Sequence, residues 1–236
     1  MPWRCDGVMF DYGRTLVTFD YPTDELLDVI RRFRPRLEAE LDAPVPTAET
    51  ILERVLIPLE EYVASASEDE VDYMAVYRAT WARAGLTPSD GLLYEILDAE
   101  QLCWDRSVRL EPGALELLAW LGSRGIRRGI CSNAPFPPEM MRRQLRTNGI
   151  AGNVDAIVLS SEVGRRKPAP EMYSAALGAM GTSADRTLYV GDRLREDYSG
   201  PVAAGMRAVI IAAHAEADLP EDVPTLRSIA DLPGLL

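Results

Sequence analysis

The sequence predicts an α/β protein, a doubly wound parallel sheet carrying an all-α insert after its first strand. Three observations lead there. Five short apolar runs end in polar or glycine residues, at 7–11, 128–132, 154–160, 187–191 and 207–212. Runs of that form suit strands buried on both faces of a parallel sheet. The later runs alternate with segments of helical spacing, the mark of βαβ units. Residues 24–105, by contrast, carry helical spacing alone.

Taken in order, Gly7-Val-Met-Phe-Asp11 is the first strand, apolar until its acid. The insert follows. Leu26, Ile30, Phe33, Leu37 and Leu41 recur at helical spacing, as do Leu52, Val55, Leu56, Leu59 and Val63. Val71, Met74, Tyr77 and Trp81 form a third set, and Leu93, Ile96, Leu97, Leu102 and Trp104 a fourth. Pro44, Pro46, the acidic stretch 67–70 and Thr87-Pro88 separate them, so about four helices are expected. Pro58 lies inside the second set and predicts a kink there. Beyond the insert, Leu115, Leu118 and Leu121 mark a helix over 113–124. Met141 and Leu145 mark another over 138–148, which Asn148-Gly149 would end. Met172, Tyr173, Leu177 and Met180 mark a third over 170–180, and a small-residue helix over 196–204 stops at Gly205. The expected division is a core of 1–16 and 107–236 and a helical segment of 17–106.

Composition narrows the chemistry. The chain has 236 residues and a formal charge of −12. Of its 25 basic residues, 24 are arginine; Lys167 is the one lysine and His214 the one histidine. A metal site with two histidines from one chain is thereby excluded. Residues 17–106 hold 20 acids against 8 arginines, whereas the other residues balance at 17 and 17. So acidic a chain is a poor partner for nucleic acid or an anionic membrane. Cys5, Cys103 and Cys131 are odd in number and widely spaced, which argues against a disulfide framework. With no signal-peptide pattern and no 18-residue apolar stretch, a cytoplasmic monomer or homodimer is expected.

Four separated stretches carry the chemistry: Phe10-Asp11-Tyr12-Gly13-Arg14-Thr15-Leu16; Ile130-Cys131-Ser132-Asn133; Lys167-Pro168 within 161–170; and Gly191-Asp192-Arg193-Leu194-Arg195-Glu196-Asp197. In their order they resemble the four motifs of the haloacid dehalogenase-like (HAD) superfamily of phosphohydrolases. The helical insert resembles that superfamily's C1-type cap on a Rossmann-like core. The residues agree with this independently. Asp11, Ser132 and Asp192 end predicted strands, and ligands of open α/β sheets bind at the carboxyl ends of strands. The resemblance implies Asp11 as nucleophile, forming an aspartyl-phosphate. It implies Mg²⁺ held by Asp11, the Gly13 carbonyl, Asp192 and Asp197, with Ser132 and Lys167 completing the catalytic set. Thr15, Asn133 and Arg14 join Ser132 as substrate-binding candidates, with Thr15 expected to hydrogen-bond the nucleophile loop. A small phosphorylated molecule is the implied partner.

One position departs from the pattern. Family phosphatases carry a second aspartate two residues after the nucleophile, as general acid and base; here that residue is Gly13. Proton transfer of this kind is worth about 10²–10⁴ in rate. Three readings stay open: a phosphohydrolase with another proton donor or a leaving group needing none, a dehalogenase-type C–X hydrolase, or a catalytically degenerate binder. A phosphonate-cleaving Schiff-base mechanism is excluded, because the insert has no lysine. Candidate substitutes for the missing acid are Tyr12, Arg14, Tyr21, Glu25 and His214. Cys131 is expected to be a packing residue. Arg14, Arg165, Arg166, Arg193 and Arg195 would draw a small phosphate inward.

Overall fold

A computed structural model describes residues 4–64, 67–215 and 219–236. The main sheet has six parallel strands: β1 (Gly7–Phe10), β4 (Arg127–Ser132), β5 (Ala156–Leu159), β6 (Thr187–Gly191), β7 (Arg207–Ile211) and β8 (Thr225–Leu226), in the order β5-β4-β1-β6-β7-β8. β1 is central, with Phe10 in register with both Ile130 and Val190. The chain leaves β1, builds β4 and β5 on one side, then crosses to build β6, β7 and β8 on the other. The change of direction sits at β1, so the carboxyl ends of β1, β4 and β6 lie side by side, where such sheets place ligands.

Successive strand side chains point to opposite faces. Val8, Phe10, Ile130, Leu188 and Val190 face one layer, packed by α6 (Ala114–Ser123) and α7 (Pro138–Thr147). Met9, Cys131 and Tyr189 face the other, packed by α9 (Pro170–Met180). This is why these strands read as continuous apolar runs. Gly149, at φ 81°, follows α7 where the Asn148-Gly149 pair predicts the stop.

The insert is helical, as expected: α1 (Thr23–Leu41), α2 (Ala48–Ile51), α3 (Ile57–Val63), α4 (Tyr73–Arg83) and α5 (Asp90–Ser107). Its apolar stripes close on a separate cluster around Trp81, Tyr77, Leu93 and Ile96. Asp72 and Ser89 cap α4 and α5 by accepting the N–H of Ala75 and Leu92. The kink expected at Pro58 takes the form of a π turn, Leu52–Leu56, between α2 and α3. Proline has no N–H to give the turn before it, and the wider turn absorbs that loss.

Two features were not visible in the sequence. β2 (Val17–Phe19) and β3 (Val108–Leu110) pair antiparallel where the chain enters and leaves the insert. Three residues are too few to show a period. The helix expected at 196–204 is a π segment, Leu194–Ser199, followed by α10 (Gly200–Ala203). A short α8 (Ser160–Val163) follows β5 directly. Among the described residues, no helix is long and apolar enough to cross a membrane.

Candidate active site

Four strand ends and loops converge on one group of charges. Asp11 follows β1, where its N–H donates to the Val190 carbonyl at 2.9 Å. Lys167 reaches it from the segment before α9. The Lys167 Nζ donates to Asp11 Oδ1 at 2.7 Å, to Asp197 Oδ1 at 2.7 Å and to the Tyr189 hydroxyl at 2.8 Å. All three donor positions of the ammonium are used, within a site where Lys167 is only 3% exposed. The two carboxylates hold Lys167 charged, well above its ordinary range, against the opposing effect of burial.

Three carboxylates, Asp11, Asp192 and Asp197, offer oxygens within 4.8 Å of one another. Burial, then the charges of Asp11 and Asp197, push Asp192 up to about 8. Asp11 is also raised, chiefly by burial, with Lys167 opposing. Asp192 Oδ2 is buried without a hydrogen-bond partner. A buried acceptor among like charges is costly as it stands and is what a hard cation satisfies. The donor set therefore fits a divalent metal. The three aspartates differ, however. Asp197 Oδ2 accepts the N–H groups of Asp192 (3.1 Å) and Arg193 (3.0 Å), and its Oδ1 accepts Lys167. Both its oxygens are thus engaged in holding the loop and the lysine, while Asp192 retains a free one. Gly191 is required beneath this arrangement, since a Cβ there would lie 2.3 Å from Asp197 Cβ.

The other sequence candidates are placed as follows. Ser132 ends β4 and lines the cleft with Asp11, Gly13 and Arg14. Asn133 lines it too, but its amide pairs with the Lys167 main chain. Its Oδ1 accepts the Lys167 N–H at 2.7 Å and its Nδ2 donates to the Lys167 carbonyl at 3.2 Å, so it positions the lysine. Thr15 departs from expectation. It is fully buried and its hydroxyl has no partner, so the hydrogen bond to the nucleophile loop is not formed. Arg14 turns the loop at φ 55°, a left-handed conformation uncommon for a side chain of its size.

Three of the candidate proton donors are otherwise paired or lie outside the cleft. His214 pairs with Glu111 at 2.8 Å and lines a recess that shares Arg14 and Phe19 with the cleft but none of the three aspartates. Glu25 is exposed and lines neither the cleft nor the cavity beside it. The Tyr12 hydroxyl donates to Gln144 Oε1 at 2.9 Å and accepts from Asn148 at 2.7 Å, a structural tie to α7. The expectation that five arginines draw phosphate inward also changes. Arg165 pairs with Asp69, and Arg195 with Glu68 at 2.8 Å. The acidic stretch 67–70 lies along 164–166, with the Arg166 N–H donating to the Glu68 carbonyl at 2.8 Å. Two of those charges therefore fasten the insert to the segment leading into Lys167.

The cleft of about 490 Å³ around Asp11 opens beside an apolar cavity of about 280 Å³ beneath the insert. Leu26, Leu56, Leu59, Leu97 and Met141 line the cavity, with Glu60, Glu100 and Gln101 among them. Glu60 and Glu100 are functional candidates outside the four motifs. Their signal was present: each lies one helical turn from an apolar stripe position, Glu60 from Leu56 and Glu100 from Ile96. Tyr189 was missed because, in sequence, it is one more apolar residue of a buried strand.

The fold and this constellation define a hydrolase family. The profile of haloacid dehalogenase-like hydrolases matches residues 5–205, and the chain belongs to that family. Among curated proteins, the phosphoglycolate phosphatase of Rhodospirillum rubrum is 39% identical over 101 residues, covering 43% of this chain and 41% of that one. The chain spans about half the length of the first curated relatives it matches. Two solved structures share its fold. A HAD phosphatase from Thermococcus onnurineus superposes with a TM-score of 0.66 at 19% identity, over 98% of this chain and 97% of that one. A 2-haloacid dehalogenase from Pseudomonas syringae gives 0.69 at 20% identity, again over 98% and 97%.

Proposed function

We propose that the protein hydrolyses a small phosphorylated metabolite with Mg²⁺, through an aspartyl-phosphate on Asp11. The observation that carries this reading is the Lys167 ammonium seated between Asp11 and Asp197, beside the unpartnered Asp192 oxygen. A phosphoryl group brings negative charge to a nucleophile that is itself negative. Lys167 offsets that charge from one side, and a cation bound by Asp192 and Asp11 would offset it from the other. Mg²⁺, when bound, supplies Lewis-acid stabilisation of the phosphoryl oxygens. The curated relative from Rhodospirillum rubrum is named as a phosphatase, which supports the same class. A 2-haloacid substrate would leave Asp192 Oδ2 without a partner, which favours the phosphoryl reading over the dehalogenase one.

In this reading residues 1–16 and 107–236 form the catalytic core, and 17–106 the cap that screens it. Asp11 attacks phosphorus, Ser132 donates to a phosphoryl oxygen, and Lys167 fixes the carboxylate that attacks. Asn133 and Asp197 hold Lys167 from its main chain and its ammonium. The organic group would extend into the apolar cavity, which the cap closes from water. The test is phosphate release from a panel of phosphate monoesters, acyl phosphates and 2-haloacids, with Mg²⁺ or EDTA, for wild type and D11N. Mg²⁺-dependent phosphate release abolished in D11N is the expected result. Halide release in EDTA would replace this reading with the dehalogenase one.

A further inference from the structure

We propose that Glu60, on α3 of the cap, is the general acid and base that replaces the carboxylate absent at Gly13. The proposal rests on the phosphatase reading above and names the residue that moves its proton.

The geometry argues by elimination. A substrate whose phosphoryl group meets Asp11 and whose organic group fills the apolar cavity has its ester oxygen where the two spaces join. Eight residues line both spaces: Gly13, Phe19, Glu60, Tyr73, Trp104, Ser132, Asn133 and Phe136. Of these, Gly13, Phe19, Trp104, Asn133 and Phe136 have no proton to exchange near neutral pH. The Ser132 hydroxyl ionises far too high. The Tyr73 phenol is pushed well above its ordinary value, chiefly by burial. Glu60 remains.

Its surroundings suit the task. Tyr21 lines the cleft beside Glu60, and the two groups interact electrostatically. Tyr21 is in turn set by the Trp104 ring, which it meets edge-on at 5.2 Å, and Phe19 meets the same ring at 5.9 Å. Phe19 also covers Gly13: a Cβ built there would sit 3.4 Å from Phe19 Cε1. One aromatic group thus packs beside the position of the missing side chain and holds the tyrosine that shares the cleft with Glu60. Partial burial raises Glu60 to about 7, with Tyr21 opposing. The titratable groups that interact with it are Tyr21, Tyr73 and Glu100; Asp11, Arg14, Arg166, Lys167, Asp192, Arg193, Glu196 and Asp197 line the same cleft. A carboxyl titrating near neutrality serves both as donor and as acceptor.

The step balances. Asp11 Oδ bonds phosphorus as the phosphorus–ester oxygen bond breaks. The ester oxygen keeps that electron pair and takes the Glu60 proton, leaving as the alcohol. The Glu60 carboxylate then takes a proton from water as the water oxygen bonds phosphorus. The phosphorus–Asp11 bond breaks, the Asp11 carboxylate is restored, phosphate departs, and Glu60 again carries its proton.

The experiment compares wild type, E60Q and the double variant G13D/E60Q, with Mg²⁺, on an alkyl phosphate and on p-nitrophenyl phosphate, whose leaving group needs no proton. In E60Q, kcat/KM for the alkyl ester should fall about 100-fold or more, while that for p-nitrophenyl phosphate falls less than about fivefold. The ratio of the two within one preparation is independent of how much of the variant is folded. The wild-type alkyl rate should decline as pH rises through about 7, and E60Q should lack that limb. G13D/E60Q should recover selectivity for the alkyl ester. Equal losses on both esters, or an unchanged pH profile in E60Q, would overturn the assignment of Glu60 while leaving the phosphatase reading intact. Absence of Mg²⁺-dependent phosphate release from either ester in the wild type would overturn both.

Discussion

Replacing Lys167 with methionine tests whether the buried ammonium holds the site together. Methionine keeps the length and apolar stem but removes the charge. Three hydrogen bonds disappear, at 2.7 Å to Asp11, 2.7 Å to Asp197 and 2.8 Å to Tyr189. Three carboxylates that approach within 4.8 Å then lose the buried ammonium that pairs with two of them. Removing one member of a buried ion pair costs about 3–5 kcal/mol, because the other charge is left unpaired. That is a large share of the roughly 5–15 kcal/mol by which a domain is stable. Urea unfolding followed by circular dichroism at pH 7 in EDTA should therefore give K167M a stability lower by about 3–5 kcal/mol. Millimolar Mg²⁺ should restore part of it, since a cation among the same carboxylates relieves the same repulsion. K167R should not restore the wild-type value. The planar guanidinium suits a bidentate fork, whereas this site presents three acceptors around one point. A loss below about 1 kcal/mol for K167M, the range of an exposed pair, would refute the reasoning.

Other perturbations follow from the same geometry. Glu100 is buried and raised to about 8, chiefly by burial, so its folded state binds a proton more readily than the unfolded chain does. Its contribution is fully present below pH 4.5 and is lost as pH rises through about 8, by at most about 1.4 kcal/mol per unit; E100Q should flatten that decline in urea titrations at pH 5 to 9. G191A would drive a methyl into Asp197 Cβ at 2.3 Å; it should lower the melting temperature and reduce phosphate release together, by about 1–3 kcal/mol of overpacking. The double change R165A/R195A removes exposed pairs to Asp69 and Glu68. It should cost about 1 kcal/mol or less in global stability, while hydrogen exchange at the Glu70 and Arg166 amides, which bridge 68–70 to 164–166, rises markedly.

The core elements were legible because their physics is local. A strand buried on both faces must be apolar throughout, so Thr187–Gly191 and Arg207–Ile211 stand out in the sequence. The helices of the insert show their buried stripe every three or four residues, and Asn148-Gly149 marks a stop that φ 81° at Gly149 explains. The three-residue strands β2 and β3 have no period to read. Their pairing joins Val17 to Leu110 across the whole insert, an encounter that local pattern does not encode.

The same division governs the site. The sequence by itself determined which groups are candidates for the chemistry: one lysine among arginines, aspartates at strand ends, and a glycine where an acid is expected. These are matters of residue type and order. Tertiary structure decided where each group sits and what it bonds. It set Lys167 between Asp11 and Asp197, engaged both Asp197 oxygens, and left Asp192 Oδ2 unpartnered. It turned Arg165 and Arg195 from phosphate steering to fastening the insert, and it brought Glu60 to the join between cleft and cavity. The physical reason is that burial, hydrogen-bond partners and neighbouring charge fix a group's protonation and reach. All three are supplied by residues distant in the chain.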